Sequence, residues 1–206
     1  MIAIDRLYDL ARKQFQLLSK EELDSLLDGI KIETLRKNSL LIETGEMQKD
    51  IPILLSGVLR GYLLDIDGRD ITDSFIFRPG DIALHCYGIG DVSPINIESA
   101  TECRIARIPV ERVQEFLGKS PEMFREYHMH IMQILRQSWE GKMLMHRCSA
   151  MERYLWFLEN YPGLIDTVGN KHIASFLGMT PVTLSRLRRK IRECEQTHEE
   201  KSMLCK

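Results

Sequence analysis

The stretch Asn170-Lys171-His172-Ile173-Ala174-Ser175-Phe176-Leu177-Gly178-Met179-Thr180-Pro181-Val182-Thr183-Leu184-Ser185-Arg186-Leu187-Arg188-Arg189-Lys190-Ile191 decides how this chain is read. Ile173, Ala174 and Leu177 recur at helical spacing, and Ala174 is small enough for a second helix to cross closely. Gly178 follows the last apolar residue, where a helix ends most easily with a positive φ. Thr180 is a favourable N-cap, and Pro181 takes the first helical position, where its missing N–H removes no hydrogen bond. Leu184, Leu187 and Ile191 form a second inward stripe, while Thr183, Ser185, Arg186, Arg189, Lys190 and Arg192 take the opposite side. Two helices joined through a glycine, the second polar and basic near its start, make the geometry that enters a DNA major groove. The alternative is an ordinary helical hairpin with a solvated basic face. Five Lys/Arg and no acid over residues 170–191, in a chain of net charge −2, favour the DNA reading and place the recognition helix at about 181–192.

Composition limits the remainder. A 206-residue chain holds one large domain or two small ones, and 44% hydrophobic with 28% charged residues is ordinary for a globular protein. The slightly negative net charge means that any DNA-binding surface is local. No stretch has the length and apolarity of a membrane span, and Asp5, Arg6 and Asp9 interrupt any signal-peptide pattern, so a cytoplasmic location is expected. Cys86, Cys103, Cys148, Cys194 and Cys205 contain no CxxC pair, which argues for free thiols and against a metal centre. Cys86 and Cys103 are expected in β structure, as small core residues. No Ser-His-Asp set, paired carboxylates or glycine-rich phosphate loop stands out, so no enzymatic activity is expected.

The organisation reads as α+β in three parts: 1–118, 119–147 and 148–206. Ser19-Lys20-Glu21-Glu22 is a capping-box start for a helix through Leu23, Leu26 and Leu27 that ends at Gly29. Strands are expected at 40–42, 51–55, 58–64, 71–77, 82–84, 95–99 and 104–108, with Asp67-Gly68 a tight-hairpin signal. Many short strands at this spacing suggest a barrel or jelly roll. A short helix follows from Val110 to Leu117, and Ser120-Pro121-Glu122 opens a much longer one. In it Phe124, Tyr127, Ile131, Ile134, Ser138, Gly141 and Met145 alternate by three and four, the spacing of a dimer seam. A second stripe, Met129, Met132, Leu135, Trp139 and Met143, lies on another face. The simplest arrangement packs one stripe on the β-domain and the other against a second copy; the alternative buries both within one chain. Another helix starts near Ser149 and ends at Asn160-Tyr161-Pro162-Gly163, and the polar tail from Glu193 is expected to fray.

A β-roll, a long helix and a helix-turn-helix in this order resemble the cyclic-AMP receptor protein/FNR (Crp/Fnr) family of bacterial transcription regulators over nearly the whole chain. The most specific match is Ala150-Met151-Glu152-Arg153-Tyr154 to Tyr161-Pro162, followed by Ile173 to Arg186. Leu55-Ser56-Gly57 and Pro79-Gly80-Asp81 sit where the family has its roll turns. The resemblance implies a homodimer on an inverted-repeat operator in double-stranded DNA, with RNA polymerase as a further partner. On the family's docking geometry, Pro181, Val182 and Arg186 match base-reading positions, with Ser185 a further candidate. Arginine pairs bidentately with guanine, and Val182 suits a thymine methyl. The family's polar base-readers are absent at Pro181 and Val182, which points to a different operator. Thr180, Thr183, Arg189, Arg188 and Lys171 are the phosphate-contact candidates. A ligand-sensing or scaffold protein whose helical C-terminus docks another protein is the competing function.

Family members that bind cyclic AMP carry a Gly-Glu-Leu-type turn followed by Arg-Ser, whose amides and arginine hold the phosphate. Here the stretch after Gly80 runs Asp81-Ile82-Ala83-Leu84-His85-Cys86-Tyr87-Gly88, without a glutamate, and Ser93-Pro94 stands where Arg-Ser is expected. A buried phosphate without a fixed cation is not offset against its desolvation, so cyclic nucleotide is not expected and no cofactor is assigned. His85, Cys86 and Tyr87 remain candidates for lining a different effector pocket.

Overall fold

The computed structural model describes residues 2–14, 16–83 and 88–204, with side chains at 7–13, 16–83 and 88–193. The elements are α1 (Ile2–Gln14), α2 (Lys20–Leu27), β1 (Lys31–Leu35), β2 (Leu40–Ile42), β3 (Asp50–Ser56), β4 (Leu59–Leu64), β5 (Asp70–Ile76), β6 (Asn96–Ser99), β7 (Cys103–Pro109), α3 (Val110–Lys119), α4 (Pro121–Arg147), α5 (Ala150–Asn160), α6 (Leu164–Thr167), α7 (Asn170–Phe176) and α8 (Pro181–Leu204). The chain forms two compact units that meet between Gln137 and Ser138, so the division falls inside α4 rather than at its two ends.

The first unit holds two antiparallel sheets, ordered β1-β7-β3 and β2-β6-β4-β5. Leu54 and Ile105 of one sheet and Leu59, Ile76 and Ile97 of the other share a core, as expected of a roll. β3 is buried at every residue from Ile51 to Leu55, because its two faces serve different cores. Ile51, Ile53 and Leu55 point instead to a second core with α1, α2, α3 and the start of α4. The Ser19–Glu22 capping box opens α2 as expected, and Ser120 Oγ donates to Glu22 at 2.6 Å while accepting the N–H of Met123 at 3.2 Å. One residue thus caps α4 and ties it to α2.

Three differences from the sequence reading have physical causes. β1 was not foreseen; it is a sheet edge whose pairing is to β7, and its residues are exposed or half-buried, which blurs the alternation. At 82–84 there is only an isolated bridge, Ile53 to Ile82, and Leu84 lies outside the described residues. The tail does not end the helix at Arg192: α8 continues to Leu204, since the segment has no Pro or Gly and is rich in Glu, Gln and Lys. The Asp67-Gly68 hairpin forms, but over the wider loop Asp65–Arg69, where the Asp65 carboxylate accepts the N–H groups of Asp67 and Arg69 at 2.9 Å each.

Candidate nucleic-acid interface

In the second unit α7 and α8 form the helix-turn-helix. Ile173, Ala174, Leu177 and Leu184 are fully buried, while Leu187 and Ile191 of the expected inward stripe are half-buried. Gly178 has φ +60, and the carbonyls of Ser175 and Ala174 accept the N–H groups of Gly178 and Met179 at 3.0 and 2.9 Å. Thr180 Oγ1 accepts the N–H of Thr183 at 3.1 Å, the expected N-cap, and its hydroxyl meets that of Thr183 at 2.9 Å. The turn is also held from α5: Arg153 donates to the carbonyls of Gly178 and Met145 at 3.3 and 3.4 Å. Beneath it Phe157 stacks on Tyr161 at 5.0 Å, and Tyr161 meets Phe176 edge-on at 5.3 Å. A second capping box, Ser149 with Glu152, starts α5.

This scaffold presents Pro181, Val182, Ser185, Arg186 and Arg189 on one exposed face of α8. Val182 is a β-branched apolar side chain 60% exposed. Thr180 and Lys171 are exposed and Thr183 half-buried. Arg188 differs from the phosphate-contact expectation. It donates to Asn170 Oδ1 at 2.8 Å and lies 3.3 Å from Asp166, so it ties α8 to α6 and α7. Asn170, Ser185, Arg188, Arg189 and Arg192 line a concavity of about 340 Å³. Arg192 belongs to the polar face that the sequence places opposite the inward stripe of this helix.

On α4 the two stripes divide. Of the expected seam, Phe124 and Ile134 are large exposed apolar residues and Ser138 is exposed, whereas Tyr127, Ile131, Gly141 and Met145 are half-buried. The second stripe is the open one: Met129, Met132, Leu135, Trp139 and Met143 are all exposed, Trp139 at 57%. Met132 lies nine residues after the buried Met123, roughly half a turn around the helix from the packed face.

His85, Cys86 and Tyr87, the candidate effector residues, lie outside the described residues. Ser93 is buried, and its hydroxyl donates to the Ile95 carbonyl at 2.7 Å. The cation that sequence reasoning missed is Arg60, 2% exposed on the outer face of the four-stranded sheet. Its guanidinium meets Glu98 at 2.8 Å, Asp70 at 3.2 Å and the Thr72 hydroxyl at 3.0 Å, and it stacks over Tyr62 at 4.3 Å. Two carboxylates already neutralise it, so it is no substitute for a phosphate-binding arginine. Cys103 is buried in β7, with its thiol pushed up by that burial, and donates to the Val58 carbonyl at 3.2 Å. Among the described residues no three His, Cys, Asp or Glu side chains gather as metal ligands, and no helix is long and apolar enough to cross a membrane.

No family model matches the chain. It is 24% identical over 178 residues to the regulatory protein HlyX of Actinobacillus pleuropneumoniae, covering 81% of this chain and 72% of that one. The structure of FixK2 from Bradyrhizobium japonicum superposes with a TM-score of 0.73 at 20% identity, over 81% of this chain and 86% of that one. A regulator of the crp/fnr family from Eubacterium rectale gives 0.64 at 19% identity, over 87% and 88%. With its two-sheet roll, long helix and capped helix-turn-helix, the chain is similar in fold to regulators of the Crp/Fnr family.

Proposed function

We propose that the protein acts as a homodimer that reads an inverted-repeat operator with α8 and does so without cyclic AMP. The observation that carries this reading is the exposed face of α8, where Pro181, Val182, Ser185 and Arg186 stand clear of the core while Leu184 anchors the same turns. Arg186 pairs with guanine N7 and O6, Val182 touches a thymine methyl, and Ser185 and Pro181 border the base edges. Thr180, Thr183, Lys171 and Arg189 take phosphates, with Arg192 beside them, while Arg188 positions the helix. Pairing runs through the exposed stripe of α4, Met132, Leu135, Trp139 and Met143, with Phe124 and Ile134 at its flanks. DNA-bound dimers then offer a surface to RNA polymerase. Cyclic AMP is disfavoured because the turn offers Ser93, already bonded to its own backbone, and Arg60 is committed to Glu98 and Asp70.

The test is binding to an inverted-repeat duplex across a salt series. Arg189→Ala should weaken specific and random duplexes together and lower the salt slope by about one unit. Salt-independent association, or none, would contradict the reading.

A further inference from the structure

In the first unit α1, α2 and α4 close over the three-stranded sheet around a cavity of about 550 Å³, within the size range of small-molecule sites. Its floor is aliphatic, built from Leu26, Ile51, Ile53 and Ile108. These side chains belong to the helix-facing core, on the opposite face of the sheet from Leu54 and Ile105, which fill the roll. The cavity is therefore separate from the roll interior.

One wall is α4, which presents Glu126 and His130 one turn apart. Glu126 is 7% exposed, and one carboxylate oxygen accepts the N–H of Leu17 at 2.5 Å. Nε2 of His130 is buried without a hydrogen-bond partner among the described residues. Burial holds this imidazole below the usual histidine range, against the opposing pull of Asp81, so the ring is neutral at pH 7. A buried nitrogen left unpaired is a costly arrangement when the cavity is dry. Lys13, the cation at the rim, is exposed to solvent.

We propose that this cavity binds a neutral, hydroxylated apolar molecule, an alcohol or phenol of one or two rings, whose O–H donates to Glu126 and accepts from His130. The polar pair selects the class. An anionic head meets the Glu126 carboxylate with no buried counter-charge, and a bare hydrocarbon leaves Nε2 unpaired. A hydroxyl is both donor and acceptor, the chemistry that suits both groups.

The full-length protein is titrated with 2-naphthol, read by its own fluorescence, alongside naphthalene and 2-naphthoate. The expected result is saturable one-to-one binding of 2-naphthol, about tenfold tighter than naphthalene, with 2-naphthoate weakest. His130→Leu should erase the advantage of naphthol over naphthalene, and Ile53→Trp, which fills the floor, should abolish binding of both. Circular dichroism checks that each variant is folded; should Ile53→Trp unfold, His130→Leu decides alone. The proposal is overturned by an absence of saturable naphthol binding, by tighter binding of naphthoate, by a naphthol advantage unchanged in His130→Leu, or by full binding in a folded Ile53→Trp.

Discussion

The guanidinium of Arg60 lies 2.8 Å from the carboxylate of Glu98, its register partner on the neighbouring strand β6, while Asp70 on β5 approaches from the other side at 3.2 Å. An arginine 2% exposed holds three strands of one sheet together by charge. Removing it leaves two carboxylates facing each other without their cation. Arg60→Ala should therefore lower unfolding stability by about 3 kcal/mol, the lower end for breaking a buried pair because Asp70 is a third exposed. Urea denaturation measures it; a loss near zero would show the cluster to be idle.

The turn between β3 and β4 needs a glycine twice over. Gly57 has φ +97, and a Cβ placed there would stand 2.3 Å from the Glu102 carbonyl oxygen. Gly57→Ala should cost more than the roughly 1 kcal/mol of conformational strain alone, because backbone must also move. Gly68→Ala, at φ +76 with nothing within 4 Å, should show only the strain. Equal losses in the two variants, by thermal or urea unfolding, would contradict the close-approach argument.

These two features mark where the sequence was legible and where it was not. Gly178, Thr180 and Pro181 act within a few residues of one another, so the helix-turn-helix could be read locally. Arg60 needs Glu98 and Asp70, distant in the chain, and no local pattern announces a buried arginine. The two stripes of α4 were both visible, but which one faces outward depends on what Met123 and Glu126 pack against. The extent of α8 is not legible because a polar tail suggests fraying, although polar residues such as Glu, Gln and Lys are good helix formers.

Stability should also depend on pH through His130. Its folded pKa is held below the unfolded value of 6.5 by burial, so the unfolded chain binds the extra proton first. The contribution is complete above the unfolded pKa and is lost as pH falls below it. Asp81, whose carboxyl burial raises, runs the other way and gains stability as pH falls. The urea midpoint of the parent protein should therefore drop between pH 7.5 and pH 5.5 by more than that of His130→Gln. A parallel drop in both would remove His130 from the account.

The open stripe on α4 predicts its own variant. Leu135→Asp places a charge on an exposed apolar face, 48% accessible at that residue, and should leave the monomer folded while dissociating the dimer. Sedimentation velocity reads the mass and circular dichroism the fold. Ile131→Asp, at a half-buried position, should instead perturb folding. Dimers that persist in Leu135→Asp would move the pairing surface elsewhere.

The most direct measurement is selection of bound sequences from random duplexes by the purified parent protein and by Arg186→Ala, followed by affinities on the selected site. The parent should enrich an inverted repeat whose half-sites are centred about 34–36 Å apart, one turn of DNA. Arg186→Ala should lose preference at one base pair per half-site and bind the parent's site about 1–3 kcal/mol more weakly, with random DNA little changed. A single asymmetric site, or an equal loss on selected and random duplexes, would contradict a paired reader whose base contact is Arg186.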